Sequence, residues 1–155
     1  MSSTKLIRRL GAKRASVYRA LVERDAVAAW MFPDGMSIEV HAFEPWVGGM
    51  FRISLTYKGD FGIGKTSART DTYHGRFLEL TPDERVVEIL EFETANPAMQ
   101  GEMKITFTLR DNEDGTELVA LHENVPPGIR PADNETGWRM SLARLDALLQ
   151  ARETR

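Results

Sequence analysis

The segment closest to a known chemical motif is a glycine-rich run at residues 59–66. Its letters, GDFGIGKT, fit the phosphate-binding pattern G-x-x-x-x-G-K-T. That chemistry requires the loop to open directly into a helix whose N-terminal amides hold the phosphates. The letters that follow, SARTDTY, are polar and β-branched, which indicates a strand. We therefore expect a glycine-rich hairpin loop and no nucleotide site.

The three histidines, His41, His74 and His122, all fall in strand-like segments and share no metal-ligand spacing. The chain also has no cysteine, which excludes zinc-thiolate sites, disulfides and a cysteine nucleophile. The sequence thus predicts no metal site and no cofactor. We expect His41 to share a face with Phe43 and His122 to share one with Leu118 and Ala120, as a buried core histidine or as a polar group that orients a ligand.

Glu88 is the carboxylate whose position could matter most. Strict alternation places it on the same face as Val86, Leu90 and Phe92, pointing inward, where burial would raise its pKa and suit it to acid–base chemistry. The alternative is a twist or bulge that turns Glu88 toward solvent. Both readings stay open from the sequence.

The elements that position these residues change period along the chain. A strand at residues 4–10 is followed by helices at 13–22 and 25–31. From there a period of two predicts strands at 37–45, 50–58, 70–80, 85–93, 102–110 and 116–124, the second of them entered through a turn at Gly48-Gly49. In the strand at 102–110, Met103, Ile105, Phe107 and Leu109 point inward.

A long helix closes the chain. Asp133 or Asn134 can cap it, and it extends to about residue 150. Its apolar stripe consists of Trp138, Leu142, Leu145 and Leu149, while Arg139, Arg144 and Asp146 are expected to face water. A long helix laid against a strongly bent sheet leaves space wherever side chains do not meet, and small-molecule sites form in such space.

Composition sets wider limits. The 155 residues suit one domain, 1–155, and no apolar stretch approaches the roughly 20 residues of a spanning helix. The absence of cysteine and of a signal peptide fits a cytoplasmic protein. The net charge of −3 hides a basic segment at residues 1–24, but no aromatic residues alternate with its Lys and Arg residues, so we expect no nucleic-acid partner.

A series of short matches resembles one family over nearly the whole chain. Residues 12–30 resemble its A-x-R-x-x-V-Y-x-A opening, and further matches are Gly48-Gly49, GRFLELTPDER at 75–85, GTEL at 115–118, and Gly137-Trp138 followed by Ser141-Leu142. The chain is thereby similar to the START/Bet v-type (SRPBCC, helix-grip) superfamily. Within it, the chain most resembles stand-alone bacterial relatives of the heat-shock protein 90 ATPase activator C-terminal domain.

The resemblance implies an α+β helix-grip fold: a curved antiparallel sheet of about seven strands wrapped round a long C-terminal helix, with two short helices after the first strand. It also implies a cavity between sheet and helix. The superfamily includes lipid carriers, cyclases and chaperone activators, so the fold does not fix the function. The co-chaperone role of the activators is not carried over to this chain.

We expect a non-enzymatic protein that binds a small hydrophobic or amphipathic ligand in this cavity. Two alternatives stay open: an enzyme of the cyclase or hydrolase type that uses His41, His122 or Glu88, and a chaperone-interaction module that uses the basic N-terminal segment. A homodimer is also open, and no membrane partner is expected. The predicted ligand-binding residues are Phe43, Phe51, Ile53, Leu55, Phe92, His122, Trp138 and Leu142.

Overall fold

A computed structural model describes residues 2–58 and 70–153. The elements follow in the order β1 (Ser2–Leu10), α1 (Arg14–Val22), α2 (Arg24–Trp30), β2 (Met36–Phe43), β3 (Met50–Tyr57), β4 (Thr70–Thr81), β5 (Arg85–Phe92), a short 3-10 helix (Pro97–Met99), β6 (Met103–Asn112), β7 (Gly115–Val125) and α3 (Pro131–Glu153). The glycine-rich segment 59–66, predicted to be a hairpin loop, lies outside the described residues.

The seven strands form one antiparallel sheet in the order β1-β7-β6-β5-β4-β3-β2. Strands β2 to β7 are a meander, and β1 joins it beside β7. The helices pack on the concave face of this sheet. The α+β helix-grip class predicted from the sequence is therefore confirmed.

Alternation along β6 shows why these residues form a half-buried strand. Met103, Ile105, Phe107 and Leu109 are at most 4% exposed, whereas Lys104 and Arg110 lie in solvent. Side chains at positions two apart share a face, so this strand presents a continuous apolar row to the helices. The inward direction predicted for these four residues is confirmed.

Strand β5 departs from this pattern because all five residues from Val86 to Leu90 are buried. An unbroken buried run gives no alternation from which orientation can be read. The register shift in this part of the sheet lies on β4, between Phe77 and Glu79, and leaves β5 regular. Glu88 consequently points inward, and the reading that a bulge turns it to solvent is wrong.

A second register shift explains His41. It falls on β2 between Val40 and Ala42, at the position of His41. The imidazole is half-buried on the outer face of the sheet, and its Nε2 lies 2.8 Å from the hydroxyl of Ser54. The expectation that His41 shares an apolar face with Phe43 is therefore wrong, because the bulge interrupts the alternation.

The turn before β3 depends on its two glycines. Gly48 has a φ of 84°, a left-handed conformation that favours glycine. At Gly49 an added Cβ would lie 2.1 Å from the carbonyl oxygen of Glu44, so no larger side chain fits. The turn predicted at these residues is confirmed.

Helix α3 begins at Pro131, two residues before the predicted cap. The amides of Asp133 and Asn134 both donate to the carbonyl of Arg130, and proline suits the first turn because its missing N–H needs no partner there. Leu142, Leu145 and Leu149 are at most 2% exposed, as predicted.

Two side chains of α3 predicted to face water are instead paired. Arg144 bonds Asp34 at 2.8 Å and lies over the ring of Phe32 at 4.3 Å, and Asp146 accepts from Arg8 at 3.0 Å. These contacts join residues 110 and 138 positions apart, so no local pattern reveals them.

Candidate functional site

A cavity of about 450 Å³ lies between the concave face of the sheet and the N-terminal half of α3. This volume falls in the range of small-molecule sites. Its apolar and aromatic lining includes Met31, Met36, Leu55, Tyr57, Tyr73, Leu90, Phe92, Met103, Ile105, Ile129, Trp138 and Met140. Its polar lining includes Asp34, Asp71, Glu88, His122, Arg130, Asp133, Asn134, Thr136 and Ser141.

The predicted ligand-binding residues divide into two groups. Four of them line the cavity, namely Leu55, Phe92, His122 and Trp138. The other four, Phe43, Phe51, Ile53 and Leu142, lie in the packed core beside it. Phe51, Ile53 and Leu142 are at most 2% exposed, and Phe43 packs edge-on against Phe77 at 5.6 Å. The cavity thus occupies only one end of the concave face, and a ligand-contacting role stays a prediction for every member of the set.

His122 is the centre of a hydrogen-bond network that ties α3 to the sheet. Its Nδ1 lies 3.1 Å from Nε1 of Trp138 and 3.1 Å from Nδ2 of Asn134. The same Asn134 nitrogen donates to the hydroxyl of Thr4 at 3.0 Å. Strands β1 and β7 are in this way joined to the first turns of α3, which fixes one wall of the cavity.

The network also fixes the protonation of His122. Because an indole N–H can only donate, Nδ1 must accept, and the ring proton of the neutral imidazole is on Nε2. Nε2 lies 3.2 Å from the sulfur of Met103. Burial lowers the pKa of His122 to about 4, so the ring stays neutral at physiological pH. His122 therefore shares the apolar row with Leu118 and Ala120 as expected, and its role here is to hold Trp138 and Asn134.

Glu88 differs from His122 in its hydrogen bonding and in the direction of its pKa shift. Its side chain is 5% exposed and faces the cavity, and within residues 2–58 and 70–153 its carboxyl group makes no hydrogen bond or ion pair. Burial raises the pKa of Glu88 to about 8, so the carboxyl group is mostly protonated at pH 7. The pKa of Tyr73 is raised mainly by burial and, to a smaller extent, by the nearby charge of Glu88.

Glu88 and His122 do not form an acid–base pair. Both lie opposite Ile105 in the ladder, one on each side of β6. Two strand spacings separate their Cα atoms by about 10 Å, and the side chain of Ile105 stands between them. The enzyme hypothesis built on these two residues therefore lacks a hydrogen-bonded pair.

Sequence reasoning missed three polar or aromatic members of the cavity. Asp71 is 1% exposed and pairs in register with Leu55, and Tyr73 lies two residues further along the same face of β4. The available signal was the alternation of β4, which groups Asp71 with Tyr73. Asn134 was considered only as a helix cap, and nothing local connects it with His122.

Within residues 2–58 and 70–153, no three His, Asp or Glu side chains cluster as a metal site would require. No described helix is both long and apolar enough to cross a membrane.

A curved antiparallel sheet around a long C-terminal helix, with a cavity between them, defines a START/Bet v-type helix-grip protein. Residues 11–150 match the family described as Activator of Hsp90 ATPase homolog 1-like protein, and the chain belongs to that family. The resemblance inferred from the sequence motifs is confirmed.

Solved structures agree with this assignment. Protein CV1439 from Chromobacterium violaceum is 30% identical, with a TM-score of 0.85 over 96% of this chain and 98% of that one. A protein from Rhodobacter sphaeroides is 23% identical, with a TM-score of 0.80 over 97% and 93%. An AHSA1 protein from Silicibacter pomeroyi shares the fold at 15% identity, with a TM-score of 0.78 over 97% and 99%. No curated protein sequence matches the chain.

Proposed function

We propose that this protein binds a small amphipathic ligand in the cavity between the sheet and α3. The observation that carries the proposal is the cavity itself: about 450 Å³ of space whose lining combines apolar and aromatic side chains with polar ones. Burial of an apolar ligand body in such a space supplies the driving force, and the polar groups fix its orientation.

The cavity contrasts with the rest of the interior. Beyond Ser141, the inner stripe of α3 packs directly on the sheet through Leu142, Leu145 and Leu149. Toward the start of the helix, Gly137 has no Cβ and nothing lies within 4 Å of the place where one would be. The helix is therefore closed against the sheet at one end and open at the other, which suits reversible entry of a ligand.

The basic N-terminal segment gives less support to a chaperone-interaction module. Arg8 is paired with Asp146 at 3.0 Å and Arg14 with Asp111 at 2.9 Å, both within the fold. Charges already used inside the molecule are less available to an acidic partner.

The test is a fluorescence titration with N-phenyl-1-naphthylamine, an apolar dye that is neutral at pH 7. We expect saturable binding of about one dye per chain, since one cavity of this size suits a two-ring molecule. Ser141→Phe, which places a ring in the cavity from a residue only 6% exposed, should abolish binding.

Ala143→Phe is the matched control, because it adds the same ring to an exposed position of the same helix. It should bind the dye as the wild type does. Absence of dye binding by the wild type, or equal binding by a folded Ser141→Phe protein, would contradict ligand binding in this cavity.

A further inference from the structure

Building on the proposed binding function, we propose that the ligand is an amphipathic amine. Its ammonium group pairs with Glu88 and its apolar part fills the cavity. Glu88 is a buried acidic side chain of the lining that has no hydrogen bond or ion pair with another described residue, and its carboxyl group faces the cavity. A buried carboxyl group with no partner is costly, so a function that uses it explains its presence.

The other acids of the lining are already engaged. Asp34 accepts from Arg144 at 2.8 Å, and Asp133 lies 3.9 Å from Arg130. Asp71 also has a hydrogen-bonding or electrostatic partner. Glu88 therefore differs from its neighbours in having unused capacity to bind a cation.

The same pairs argue against an anionic ligand. Arg130 lines the cavity and Arg144 borders it through Asp34, and each already faces a carboxylate. His122 is neutral, and its Nδ1 is occupied by two donors. Among the described lining residues, a fatty acid or a phosphate would thus find no basic group that lacks a carboxylate partner, and its charge would oppose ionisation of Glu88.

Aromatic rings favour a cation over a neutral polar head. Tyr73, Phe92 and Trp138 line the same space, and Tyr73 and Phe92 meet edge to face at 6.3 Å. Ring faces attract ammonium groups most strongly where water is excluded. Charge-assisted hydrogen bonds to a carboxylate are also about twice as strong as neutral ones. A neutral head would use Glu88 only as an ordinary donor or acceptor.

Binding has a proton balance that can be measured. Without ligand, Glu88 holds its proton at neutral pH because burial raises its pKa to about 8. An ammonium ligand pairs with the carboxylate, so one proton leaves Glu88 for solvent while the amine keeps its own. The other titratable and charged lining groups around it are Asp34, Tyr57, Asp71, Tyr73, His122, Arg130 and Asp133. Affinity for an amine should therefore rise with pH toward 8 and then level off.

The experiment is isothermal titration calorimetry with three probes that share one apolar body: 2-naphthylmethylamine, 2-naphthylmethanol and 2-naphthoate. We expect the amine to bind at least about tenfold more tightly than the alcohol at pH 8, and the carboxylate to bind most weakly. Amine affinity should gain up to about tenfold per pH unit below 8, and titrations at pH 7 in two buffers of different ionisation enthalpy should show close to one proton released.

Glu88→Gln should remove both the amine preference and the pH dependence while leaving affinity for the alcohol within about twofold of wild type. Glu91→Gln, three residues further along β5 and exposed, is the control and should change neither. If Glu88→Gln does not fold, the wild-type pH profile and proton release decide the question alone.

The remaining outcomes separate the two proposals. Equal binding of all three probes, or binding of N-phenyl-1-naphthylamine without binding of the amine, overturns the amine inference and leaves the cavity-binding function standing. Tighter binding of the alcohol, with an affinity that falls above pH 8, would mean that protonated Glu88 donates a hydrogen bond to a neutral ligand. That outcome also overturns the amine inference. Failure of every probe, dye included, overturns both.

Discussion

Two glutamates five residues apart, one on each face of the sheet, differ in their hydrogen-bond partners and in the direction of their pKa shifts. Glu88 faces the cavity, has no partner in the described residues, and has a pKa raised by burial to about 8. Glu93 lies on the outer face just after β5. Both its oxygens accept from Arg52 at 2.9 Å, and Oε2 lies 3.0 Å from Nδ1 of His74.

The hydrogen bonds from Arg52, and then that from His74, lower the pKa of Glu93 to about 2 against the opposing effect of its partial burial. Its bonding capacity is used within the fold, so Glu93 is a structural residue. Glu88 has no hydrogen-bonding partner among the described residues. The comparison teaches that the unsatisfied carboxyl group, rather than the more elaborate cluster of charges, marks the place where another molecule is expected.

The largest effect should come from Glu88→Gln. The folded chain keeps the proton on Glu88 up to a pKa of about 8, while the unfolded chain loses it near 4.5. Stability from this group is therefore fully present below about pH 4.5 and is lost as pH rises through about 8, by about 5 kcal/mol in total. Urea unfolding of wild type and variant at pH 5, 7 and 9 should show the variant gaining stability relative to wild type as pH rises. Parallel curves would mean that Glu88 is not buried unpaired.

A second inner-face group should respond in the opposite direction. Folding lowers the pKa of His122 from 6.5 to about 4, because burial disfavours the charged ring. Stability is then lost as pH falls from about 6.5 to 4, where the unfolded chain binds a proton and the folded chain does not, by about 3 kcal/mol. His122→Gln cannot be protonated and should remove this slope, which urea unfolding between pH 7 and 4 would measure. An unchanged slope would assign the acid sensitivity to other residues.

These two residues also show what could be predicted from sequence. The inward direction of His122 followed from strict alternation in β7, where one face is wet. Glu88 lies in a run buried on both faces, so its direction depended on a register shift in the neighbouring strand β4. The fold could be predicted because alternation and family motifs extend along most of the chain. The orientation of Glu88 could not be predicted in this way.

The extent of the cavity could not be predicted from local sequence patterns, for a related reason. Leu55 and Ile53 lie two residues apart on one strand, yet only Leu55 lines the cavity while Ile53 is packed in the core. Which of them a ligand could reach depends on how far along the sheet α3 makes contact. The closed end of α3 is held by the buried leucines Leu142, Leu145 and Leu149 and by long-range pairs such as Arg8 with Asp146, and no local pattern reveals such pairs.

A smaller effect is expected on the outer face from Glu93→Gln. The side chains of Glu93 and Arg52 are 30% and 43% exposed, so solvent screens their attraction and the loss should be about 1 kcal/mol or less at pH 7. Because the folded pKa is depressed, this stability is present above about pH 4.5 and disappears as pH falls toward 2. Thermal unfolding at pH 7 with and without about 1 M salt would measure it, since salt should shrink the difference. A loss that salt does not reduce would indicate packing rather than an ion pair.

Glu91→Gln should have the smallest effect and tests the comparison most directly. Its carboxylate is 50% exposed and lies 3.2 Å from Nε2 of His74, so the variant should stay within about 0.5 kcal/mol of wild type from pH 5 to 9. It changes the formal net charge of −3 by the same single unit as Glu88→Gln, and at pH 9, where both carboxyl groups are ionised, the two variants are matched in charge. If both variants gained stability equally at high pH, relief of overall negative charge would explain the gain. A gain confined to Glu88→Gln, measured by urea unfolding in parallel, would instead locate the cost in one buried carboxyl group on the inner face of β5.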